Sequence, residues 1–574
     1  MIRKVCIRRR AADGSAIAGA HPVLARVLSG RGASQLPDYG LGQLLPPTLK
    51  GLDAACELLA GAISRGESIL VVGDFDADGA TGTALAVRAL RELGAGEVDW
   101  LVPDRFRHGY GLSRQLVAEI PDPPPDVLVT VDQGISSIEG VELARERGMR
   151  VVVTDHHLPG PVLPGAEAII NPNLPDDAFP SGTLAGVGVV FYLVMALRAR
   201  LRSDGAFANC AQPRLDRWLD LVALGTVADL VELDENNRRL VHQGLERIRA
   251  GQCSPGVRAL LEIARRNLRH ASAADLGFAV GPRLNAAGRL DDMSIGIRCL
   301  LADSDREAVS LATRLDQLNA DRQSIQADMQ EHAEAQATAM ADAIEGDVPG
   351  LCVFDGDWHP GVVGLVAGRL MERLQRPVVA FAPAEAGSSE LKGSARSPAG
   401  LHMRDLLVDI DTASPGLIDR FGGHARAAGL SLAREQLDAF RSAFEERLAR
   451  CTFAPERVES DGSLAGDEFS VETAEALHRG GPWGQGWPEP LFDGRFEVLE
   501  RRVVGEKHLK MRLAPAGGGP ELDAIAFQAG DWCYQEMPSP VHFTFRLEIN
   551  RWRGRVTPQL NIQHLVAART DDPS

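Results

Sequence analysis

The chain has 574 residues, of which 45% are hydrophobic and 24% are charged, and its formal net charge is −17. This length predicts three or four domains with sizeable cores. The negative charge does not exclude a nucleic-acid substrate, because a local basic groove is compatible with an acidic whole and metal-binding carboxylates add to the total.

The sequence pattern argues against membrane-spanning and zinc-finger proteins. No uninterrupted apolar run reaches about 18 residues, so no membrane span is expected. The eight cysteines form no CxxC pair, and none has zinc-finger spacing from a histidine. We therefore expect reduced cysteines in a cytoplasmic protein.

Residues 1–50 predict an irregular lead-in with one short helix, and we interpret Arg8-Arg9-Arg10 as a solvated end rather than a nucleic-acid arm. From about residue 51 to residue 175 the pattern is α/β, and residues 183–300 are predicted to be mostly helical. The apolar, β-rich runs of the α/β part are Ser68–Gly73, Asp126–Val131, Arg150–Thr154 and Ala168–Ile170, with helical segments between them such as Gly79–Leu93 and Ile138–Gly148. Near-continuous apolar strands that alternate with helices predict a parallel sheet covered on both faces.

A long polar segment without Gly or Pro spans residues 304–344 and carries a partial apolar stripe, which predicts a connecting helix. A coiled-coil dimer helix is the alternative, although the heptads are irregular. A second α/β domain follows at residues 345–452 and begins with the apolar run Gly350–Phe354.

Residues 453–574 change to β-type runs separated by Gly-rich turns, which predicts a small barrel of the OB type. Basic and aromatic residues alternate here, as is typical of surfaces that bind single strands. They are Lys507, Lys510, Arg551, Trp552, Arg553 and Trp487, the last of which is equally compatible with a core position.

Acidic and histidine residues follow the predicted strands of the first domain. They are Asp74, Asp76 and Asp78 after the first run, Asp132 after the second, Asp155-His156-His157 after the third, and Asp229 within an apolar helix. Any one of them alone is equally compatible with a turn or a helix cap. Parallel strands, however, bring their carboxyl ends to one edge of the sheet, where sites form.

Clustered carboxylates need a counter-charge, because two of them about 4 Å apart repel by roughly 4 kcal/mol at an effective dielectric near 20. Oxygen-rich sites with one imidazole suit Mn²⁺ or Mg²⁺ better than Zn²⁺. The sequence therefore predicts a divalent-metal centre. The competing pattern Gly186-Val-Gly188 lacks the third glycine and the preceding strand of a dinucleotide site, which favours helix packing.

The motifs Asp74-Phe-Asp76-Ala-Asp78-Gly79, Asp132, Asp155-His156-His157 and Asp229 resemble, in order and spacing, those of the DHH phosphoesterase superfamily. Gly422-Gly-His424-Ala-Arg-Ala-Ala-Gly429 resembles the glycine-rich motif of its DHH-associated domain. Four further segments narrow the resemblance to the RecJ family of single-strand DNA exonucleases. They are Pro103–Leu112, Gly281–Arg289, Trp358–Gly361 and Ser394–Ser397, in which Pro360 replaces an expected polar residue.

This resemblance implies a DHH catalytic domain (51–303), a connecting helix (304–344), a DHH-associated domain (345–452) and an OB-fold nucleic-acid-binding domain (453–574). It implies that two Mn²⁺ or Mg²⁺ ions are held by Asp74, Asp76, Asp132, His156 and Asp229, with Asp132 bridging. Asp78 would coordinate or orient, and His157 would face the scissile phosphate.

Substrate-binding roles are implied for a second set of residues. Arg105, Arg283 and Arg396 are candidates for a terminal phosphate, since guanidinium binds phosphate bidentately, although each is also compatible with an ordinary surface salt bridge. The other candidates are Asn285, His359, Ser394, Gly422, Gly423 and His424. For the two glycines the alternative is an ordinary tight turn, and for His424 a structural hydrogen bond.

The activity implied is hydrolysis of single-stranded DNA from a 5′ end, in DNA recombination and repair. The alternatives are a small-substrate DHH phosphodiesterase that acts on oligoribonucleotides or cyclic dinucleotides, and a non-enzymatic scaffold. The resemblance also implies a single-strand binding protein and a RecQ-type helicase as partners, and we expect a cytoplasmic monomer.

Overall fold

The computed structural model describes residues 3–11, 17–343, 349–385, 387–451, 457–505, 507–552 and 554–566. Its strands are β1 (Arg3–Arg9), β2 (Ile69–Val72), β3 (Val98–Leu101), β4 (Val127–Val131), β5 (Arg150–Thr154), β6 (Ala168–Ile170), β7 (Leu351–Phe354), β8 (Val378–Pro383), β9 (Glu390–Arg396), β10 (Arg420–Gly423), β11 (Ala427–Ala433), β12 (Arg457–Ser460), β13 (Phe492–Val504), β14 (His508–Pro515), β15 (Leu522–Ala526), β16 (Val541–Trp552) and β17 (Arg555–Val566). Its helices are α1 (Pro22–Ser29), α2 (Leu52–Arg65), α3 (Ala77–Glu92), α4 (Arg114–Ala118), α5 (Ile138–Glu146), α6 (Gly186–Ser203), α7 (Leu219–Ala228), α8 (Glu235–Arg249), α9 (Pro255–Ile263), α10 (Ala273–Asp275), α11 (Gly281–Leu290), α12 (Ser294–Leu301), α13 (Asp305–Ala343), α14 (Val363–Leu374), α15 (Met403–Ala413), α16 (Leu437–Leu448) and α17 (Val471–Arg479). Within the described ranges, no helix combines the length and the apolar character needed to cross a membrane.

The chain forms two compact units. The parallel-sheet unit comprises Leu36–Ala320 and His478–Glu489, and the two-sheet unit comprises Met1–Gln35, Asp321–Leu477 and Pro490–Ser574. The boundary between them falls inside α13, which is the long helix that the segment without Gly or Pro predicts.

The parallel-sheet unit contains a five-stranded sheet in the order β3-β2-β4-β5-β6, with all neighbouring strands parallel. Successive side chains of a strand point to opposite faces, so an uninterrupted apolar run requires a core on each face. Val71 and Val129 belong to the core built with α2, α3, α6 and α7, whereas Val72 and Leu128 belong to a second core with α4 and α5. The predicted α/β fold with a doubly covered parallel sheet is confirmed.

The second α/β region of the chain lies in the two-sheet unit and begins with β7 and β8, which are parallel. The sheet continues as β10-β11-β9-β8-β7, in which the other pairs are antiparallel. Phe381 on β8 packs edge-on against Phe440 of α16 in the core of this region. The mixed sheet places β9 between β8 and β11, and this arrangement brings the Ser394–Ser397 segment beside the glycine-rich segment.

The other sheet of this unit has seven strands, and five of them close into a barrel. β13 pairs with β14, β14 with β15, β15 with β17, β17 with β16, and β16 again with β13. A five-stranded closed barrel is the architecture of the OB type, which confirms the predicted C-terminal fold.

The first residues differ from the expected irregular lead-in, because β1 is inserted in parallel between β12 and β17. The Arg9 side chain is 56% exposed, as the predicted solvated end implies, whereas the Arg10 side chain is only 16% exposed. Arg9 forms an ion pair with Asp493, and Arg10 forms ion pairs with Glu459 and Asp461. The partners lie more than 400 residues away in sequence, so no local pattern indicated this strand.

Candidate active site

The predicted metal-binding residues converge at one edge of the parallel sheet. Asp74 lies two residues beyond β2, Asp132 directly follows β4, and the Asp155–His157 segment directly follows β5. Asp78 lies in the first turn of α3, and Asp229 is the C-terminal cap of α7. The carboxyl ends of neighbouring parallel strands therefore bring together residues that are far apart in sequence.

Among the described residues, three groups of acidic and histidine side chains could each hold a metal ion. Within each group, the possible ligand atoms lie within 4.8 Å of one another. The groups are Asp74, Asp76 and Asp132; Asp78, His156 and Asp229; and Asp132, His156 and His157. Nε2 of His156 lies 3.0 Å from Oδ1 of Asp132 and 3.5 Å from Oδ2 of Asp229. Two ligands at right angles, each about 2.1 Å from one ion, lie about 3 Å apart, so this spacing suits ligands that share a cation.

The electrostatics of the cluster fit bound cations. Burial raises the pKa values of Asp74, Asp132 and Asp229 well above the usual carboxyl range, and neighbouring carboxylates raise them further. Burial also lowers the pKa of His156 to about 4, which favours the neutral imidazole that binds metals. Within the described part of the chain, Oδ1 of Asp74, Oδ1 of Asp132 and Nε2 of His156 are buried without a hydrogen-bond partner. Divalent metal would satisfy these atoms.

Asp132 has an unusual backbone conformation, and α6 packs closely against its side chain. Its φ of 61° lies in the left-handed region, where residues other than glycine are uncommon. Gly186 allows α6 to approach, because a Cβ atom there would lie 2.6 Å from Cβ of Asp132 and 2.8 Å from its Oδ1. The first glycine of the Gly186-Val-Gly188 pattern is thus explained by close packing of α6 against the site.

Asp78 is held by the first turn of α6. Its Oδ2 accepts a hydrogen bond from the Gly186 N–H at 2.6 Å, and its Oδ1 accepts one from the Val187 N–H at 2.9 Å. The N-terminus of a helix is a natural site for a negative charge. These contacts orient the Asp78 carboxylate, which also belongs to one of the three groups of possible metal ligands.

His157 is oriented by two side chains. Nδ1 of His157 lies 2.7 Å from Oδ1 of Asp155 and 3.0 Å from the Tyr110 hydroxyl, which also donates to the Asp132 carbonyl at 3.3 Å. Burial alone would lower the pKa of His157, but the hydrogen bond to Asp155 and the negative charges of Asp155, Asp74 and Asp76 together outweigh it and raise that pKa. Both contacts engage Nδ1 and so leave Nε2 of His157 unused by them.

Sequence reasoning missed two residues of this centre. Tyr110 lies within the quoted segment Pro103–Leu112, but the segment carried no signal that its hydroxyl contacts His157. The other is Gln133, whose Nε2 donates to the Val72 and Gly73 carbonyls at 3.2 Å each and so ties the end of β4 to the end of β2.

Arg105 lies beside the metal-binding carboxylates. Its guanidinium stacks over the Phe75 ring at 4.2 Å from the centroid. Burial lowers the pKa of Arg105, while attraction to Asp74 and Asp76 raises it. Arg105, a candidate phosphate ligand, therefore interacts electrostatically with Asp74 and Asp76.

The α11 helix carries two further candidates. Oδ1 of Asn285 accepts a hydrogen bond from the Ala77 N–H at 2.8 Å, so Asn285 supports the loop that holds Asp74 and Asp76. Arg283 forms an ion pair with Asp316 at 2.8 Å and donates to the Ala279 carbonyl at 2.7 Å.

In the two-sheet unit, Arg396 and Ser394 meet on β9. Nη1 of Arg396 donates to Oγ of Ser394 at 2.9 Å and to the Ala395 carbonyl at 2.9 Å. Burial lowers the pKa of Arg396. Gly364 in the first turn of α14 approaches both, since a Cβ atom there would lie 3.0 Å from each side chain. Nearby in sequence, Nδ1 of His359 accepts a hydrogen bond from the Gly361 N–H at 3.1 Å. A half-buried arginine beside a helix N-terminus is suited to an anion.

The glycine-rich segment forms a hairpin. Gly422 pairs with Gly429 and Gly423 with Ala428, and the His424 N–H donates to the Ala427 carbonyl at 2.8 Å. Gly423 has a φ of 141°, and a Cβ atom there would lie 2.5 Å from the Ala427 carbonyl oxygen. The hairpin requires glycine at this position whether or not a ligand binds there.

The basic and aromatic residues predicted for the barrel do not all belong to it, and two of the basic residues are in ion pairs. Lys510 forms an ion pair with Asp523 at 3.2 Å, and Arg551 forms one with Glu475 at 3.2 Å. Trp487 belongs to the parallel-sheet unit, where it packs on the core and lies 4.2 Å beneath the guanidinium of Arg238. Arg553 and the side chain of Trp552 lie outside the described residues.

Three family models match the chain. The DHH family, N-terminal domain, matches residues 68–226; the DHHA1 domain matches residues 347–450; and the RecJ OB domain matches residues 460–564. Together they span both units.

Relatives resemble the chain over almost its whole length. It is 51% identical over 569 residues to the single-stranded-DNA-specific exonuclease RecJ of Dickeya dadantii, a match that covers 97% of this chain and 98% of the relative. It is 49% identical over 576 residues to the protein of the same name from Escherichia coli, with 98% and 100% covered. The crystal structure of RecJ in complex with Mn²⁺ from Thermus thermophilus matches with a TM-score of 0.79 at 31% identity, covering 99% of this chain and 80% of that one.

Proposed function

This chain belongs to the RecJ family of DHH phosphoesterases, and from that premise we propose that it hydrolyses single-stranded DNA from a 5′ end in recombination and repair. It is a metal-dependent nuclease specific for single-stranded DNA. The observation that carries the proposal is the convergence of buried, unpartnered carboxylate and imidazole atoms at the carboxyl ends of three strands. The 5′ polarity and the residue roles that follow are part of the proposal.

Asp74, Asp76, Asp132, His156 and Asp229 would hold two divalent cations, Mn²⁺ or Mg²⁺, with Asp132 shared between them. When bound, such ions lower the pKa of water and stabilise the negative charge that develops on a phosphodiester. Asp155 holds His157 by Nδ1, so that Nε2 contacts the scissile phosphate. Asp78 fixes the start of α3 against the start of α6 and so keeps the first motif in place.

The end of the strand would be recognised by guanidinium groups. Arg105, Arg283 and Arg396, the last with Ser394, are the proposed ligands of a terminal phosphate, because charge-assisted hydrogen bonds from guanidinium are strong and directional. His359, His424 and the backbone N–H groups of Gly422 and Gly423 are proposed as further substrate contacts. The five-stranded barrel is proposed to bind the strand beyond the cleavage site.

We also propose partners and a location that rest on the family resemblance. The partners are a single-strand binding protein and a RecQ-type helicase, and the protein acts as a monomer. Its eight cysteines are free, which supports a reducing compartment such as the cytoplasm. Sedimentation of the protein alone tests whether it is a monomer, and sedimentation with each partner tests the two interactions.

The decisive experiment follows 5′-phosphorylated single-stranded DNA, labelled at its 3′ end, in the presence of Mn²⁺. A duplex and a 5′-blocked strand are run beside it. We expect a ladder of shortening products from the free single strand alone. Equal cutting of the blocked strand would contradict 5′-end recognition. Cutting of short oligoribonucleotides or cyclic dinucleotides, with no cutting of long strands, would favour the small-substrate phosphodiesterase.

A further inference from the structure

Arg283 is fixed by a geometry that leaves part of its guanidinium available. Nε and Nη2 both approach Oδ1 of Asp316 at 2.8 Å, and Nη1 donates to the Ala279 carbonyl at 2.7 Å. A guanidinium has five N–H groups, and these contacts use one on each of its three nitrogens. Among the residues that the structure describes, these contacts leave one N–H on Nη1 and one on Nη2 unused. Two such groups are what a bidentate phosphate contact requires.

The segment before α11 supplies one of these contacts. Leu276–Val280 forms a π-helical turn, in which the Gly281 N–H donates to the Leu276 carbonyl, five residues back. Such turns are rare and often occur at functional sites. Here the turn leads directly into α11 and offers the Ala279 carbonyl to Arg283.

The other contact comes from the first part of α13. Asp316 is 44% exposed, whereas the Arg283 side chain is 17% exposed. A second ion pair, between Arg314 of α13 and Asp291 at the end of α11, joins the same two elements at 2.7 Å. Asp316 contacts Arg283, which is a proposed phosphate ligand, whereas Asp291 contacts Arg314, which is not.

We infer that Asp316 is a positioning residue that holds the Arg283 guanidinium in the orientation needed to bind the terminal phosphate of the DNA strand. This inference rests on the proposed phosphate role of Arg283. It assigns Asp316 a share in the preference for a phosphorylated end. The carboxylate occupies the Nε–Nη2 edge of the guanidinium, and so the remaining N–H groups are directed to the ligand.

The test compares kcat/KM for the same single-stranded DNA with a 5′-phosphate and with a 5′-hydroxyl, in the full-length protein with Mn²⁺. The ratio of the two values is the readout. We expect Arg283→Ala to lower the ratio by at least about tenfold, the loss typical of hydrogen bonds to charged groups. Asp316→Asn should lower it by about threefold to fivefold, the scale of a partly exposed ion pair, mainly through KM. Asp316→Glu should restore most of it.

Arg314→Gln is the matched control, because it breaks the neighbouring ion pair between the same elements and should leave the ratio unchanged. If Arg283→Ala leaves the ratio unchanged, the proposed phosphate role fails and the inference falls with it. If Arg283→Ala lowers the ratio but Asp316→Asn and Asp316→Glu both leave it unchanged, only the inference is overturned. It is also overturned if Arg314→Gln lowers the ratio as much as Asp316→Asn, since the effect would then come from packing of α13.

Discussion

At the scale of single residues, the buried carboxylates of the site destabilise the metal-free fold. Asp74 and Asp132 are 4% and 1% exposed, and each has a carboxylate oxygen that finds no hydrogen-bond partner among the described residues. Burying an ionised carboxylate without a partner is costly, and the cost is recovered only when a cation arrives. Activity and the stability of the metal-free protein should therefore respond in opposite directions when a ligand is removed.

Asp132→Asn is expected to lower nuclease activity by at least about a hundredfold, because a residue that belongs to two of the three groups of possible metal ligands is lost. The metal-free variant should melt at or above the wild-type temperature, since one buried charge is removed. Asparagine also tolerates the left-handed backbone at this position. Differential scanning fluorimetry with and without Mn²⁺, beside a nuclease assay, measures both effects.

Asp99→Asn provides the control for that substitution, since Asp99 lies exposed on β3 of the same sheet. It should change neither activity nor the Mn²⁺-dependent rise in melting temperature. If Asp132→Asn kept the full Mn²⁺-dependent rise, Asp132 would not be a metal ligand.

Asn285→Ala is expected to weaken Mn²⁺ binding by about tenfold, the usual cost of losing a residue that supports metal ligands. The reason is its hydrogen bond to the Ala77 N–H, which holds the loop with Asp74 and Asp76. Calorimetric titration with Mn²⁺ in the absence of DNA measures the change. Asn267→Ala removes a similar side-chain bond, to the Arg269 N–H, and serves as control. Normal Mn²⁺ affinity with weakened DNA binding would instead favour the direct substrate role predicted from the sequence.

At the scale of elements, strands that carry the site were predictable because their chemistry is local. Runs such as Val127–Val131 and Arg150–Thr154 are apolar enough to require burial on both faces, and the residues just after them fall at one edge of the sheet. β3 was missed, because Asp99 and Trp100 interrupt its apolar pattern. The contacts of Asp78 with the start of α6 were also missed, because they depend on how a helix more than a hundred residues away packs.

Gly186→Ala is expected to lower activity by at least about tenfold without unfolding the protein, because the added Cβ would displace Asp132 from its metal-binding position. Gly188→Ala is the matched control on the same helix. The atoms nearest to a Cβ there all belong to the Leu184 side chain, with Cδ2 at 3.2 Å, and that side chain can move. Circular dichroism verifies folding, and the nuclease assay gives the result. Equal activity of the two variants would show that the approach of α6 to Asp132 is not critical.

At the scale of the whole molecule, the two ends of the chain fold together. β1 lies between β12 and β17, and its Arg9 reaches Asp493 on β13 across 484 residues of sequence. Asp493 also contacts His542 on β16 at 2.9 Å and Ser460 on β12 at 2.5 Å. One buried carboxylate thus joins four strands of the barrel region, a role that no local sequence pattern could indicate.

Burial alone would raise the pKa of Asp493, but hydrogen bonds from His542, Arg9 and Ser460 outweigh it and hold that pKa well below its usual value. A carboxyl group whose pKa is lower in the folded than in the unfolded state contributes stability above the unfolded value, near pH 4, and loses it as the pH falls further. Ionised Asp493 should therefore stabilise the barrel at neutral pH and do so progressively less in acid.

Asp493→Asn is expected to lower the melting temperature of the barrel by roughly 5–10 °C at pH 7, because the variant removes the buried negative charge and replaces one of the two oxygens that pair with Arg9 and His542 by an NH2 donor. The gap between wild type and variant should narrow as the pH falls from about 4 to about 3, where the Asp493 carboxyl of the unfolded wild type begins to bind a proton while that of the folded protein stays ionised. Scanning calorimetry across this range measures it. Asp523→Asn, at a 39% exposed carboxylate paired with Lys510 in the same barrel, should cost at most about 1 kcal/mol. A gap that stayed constant down to pH 3 would mean that the ionised form of Asp493 is not what holds the first strand to the barrel.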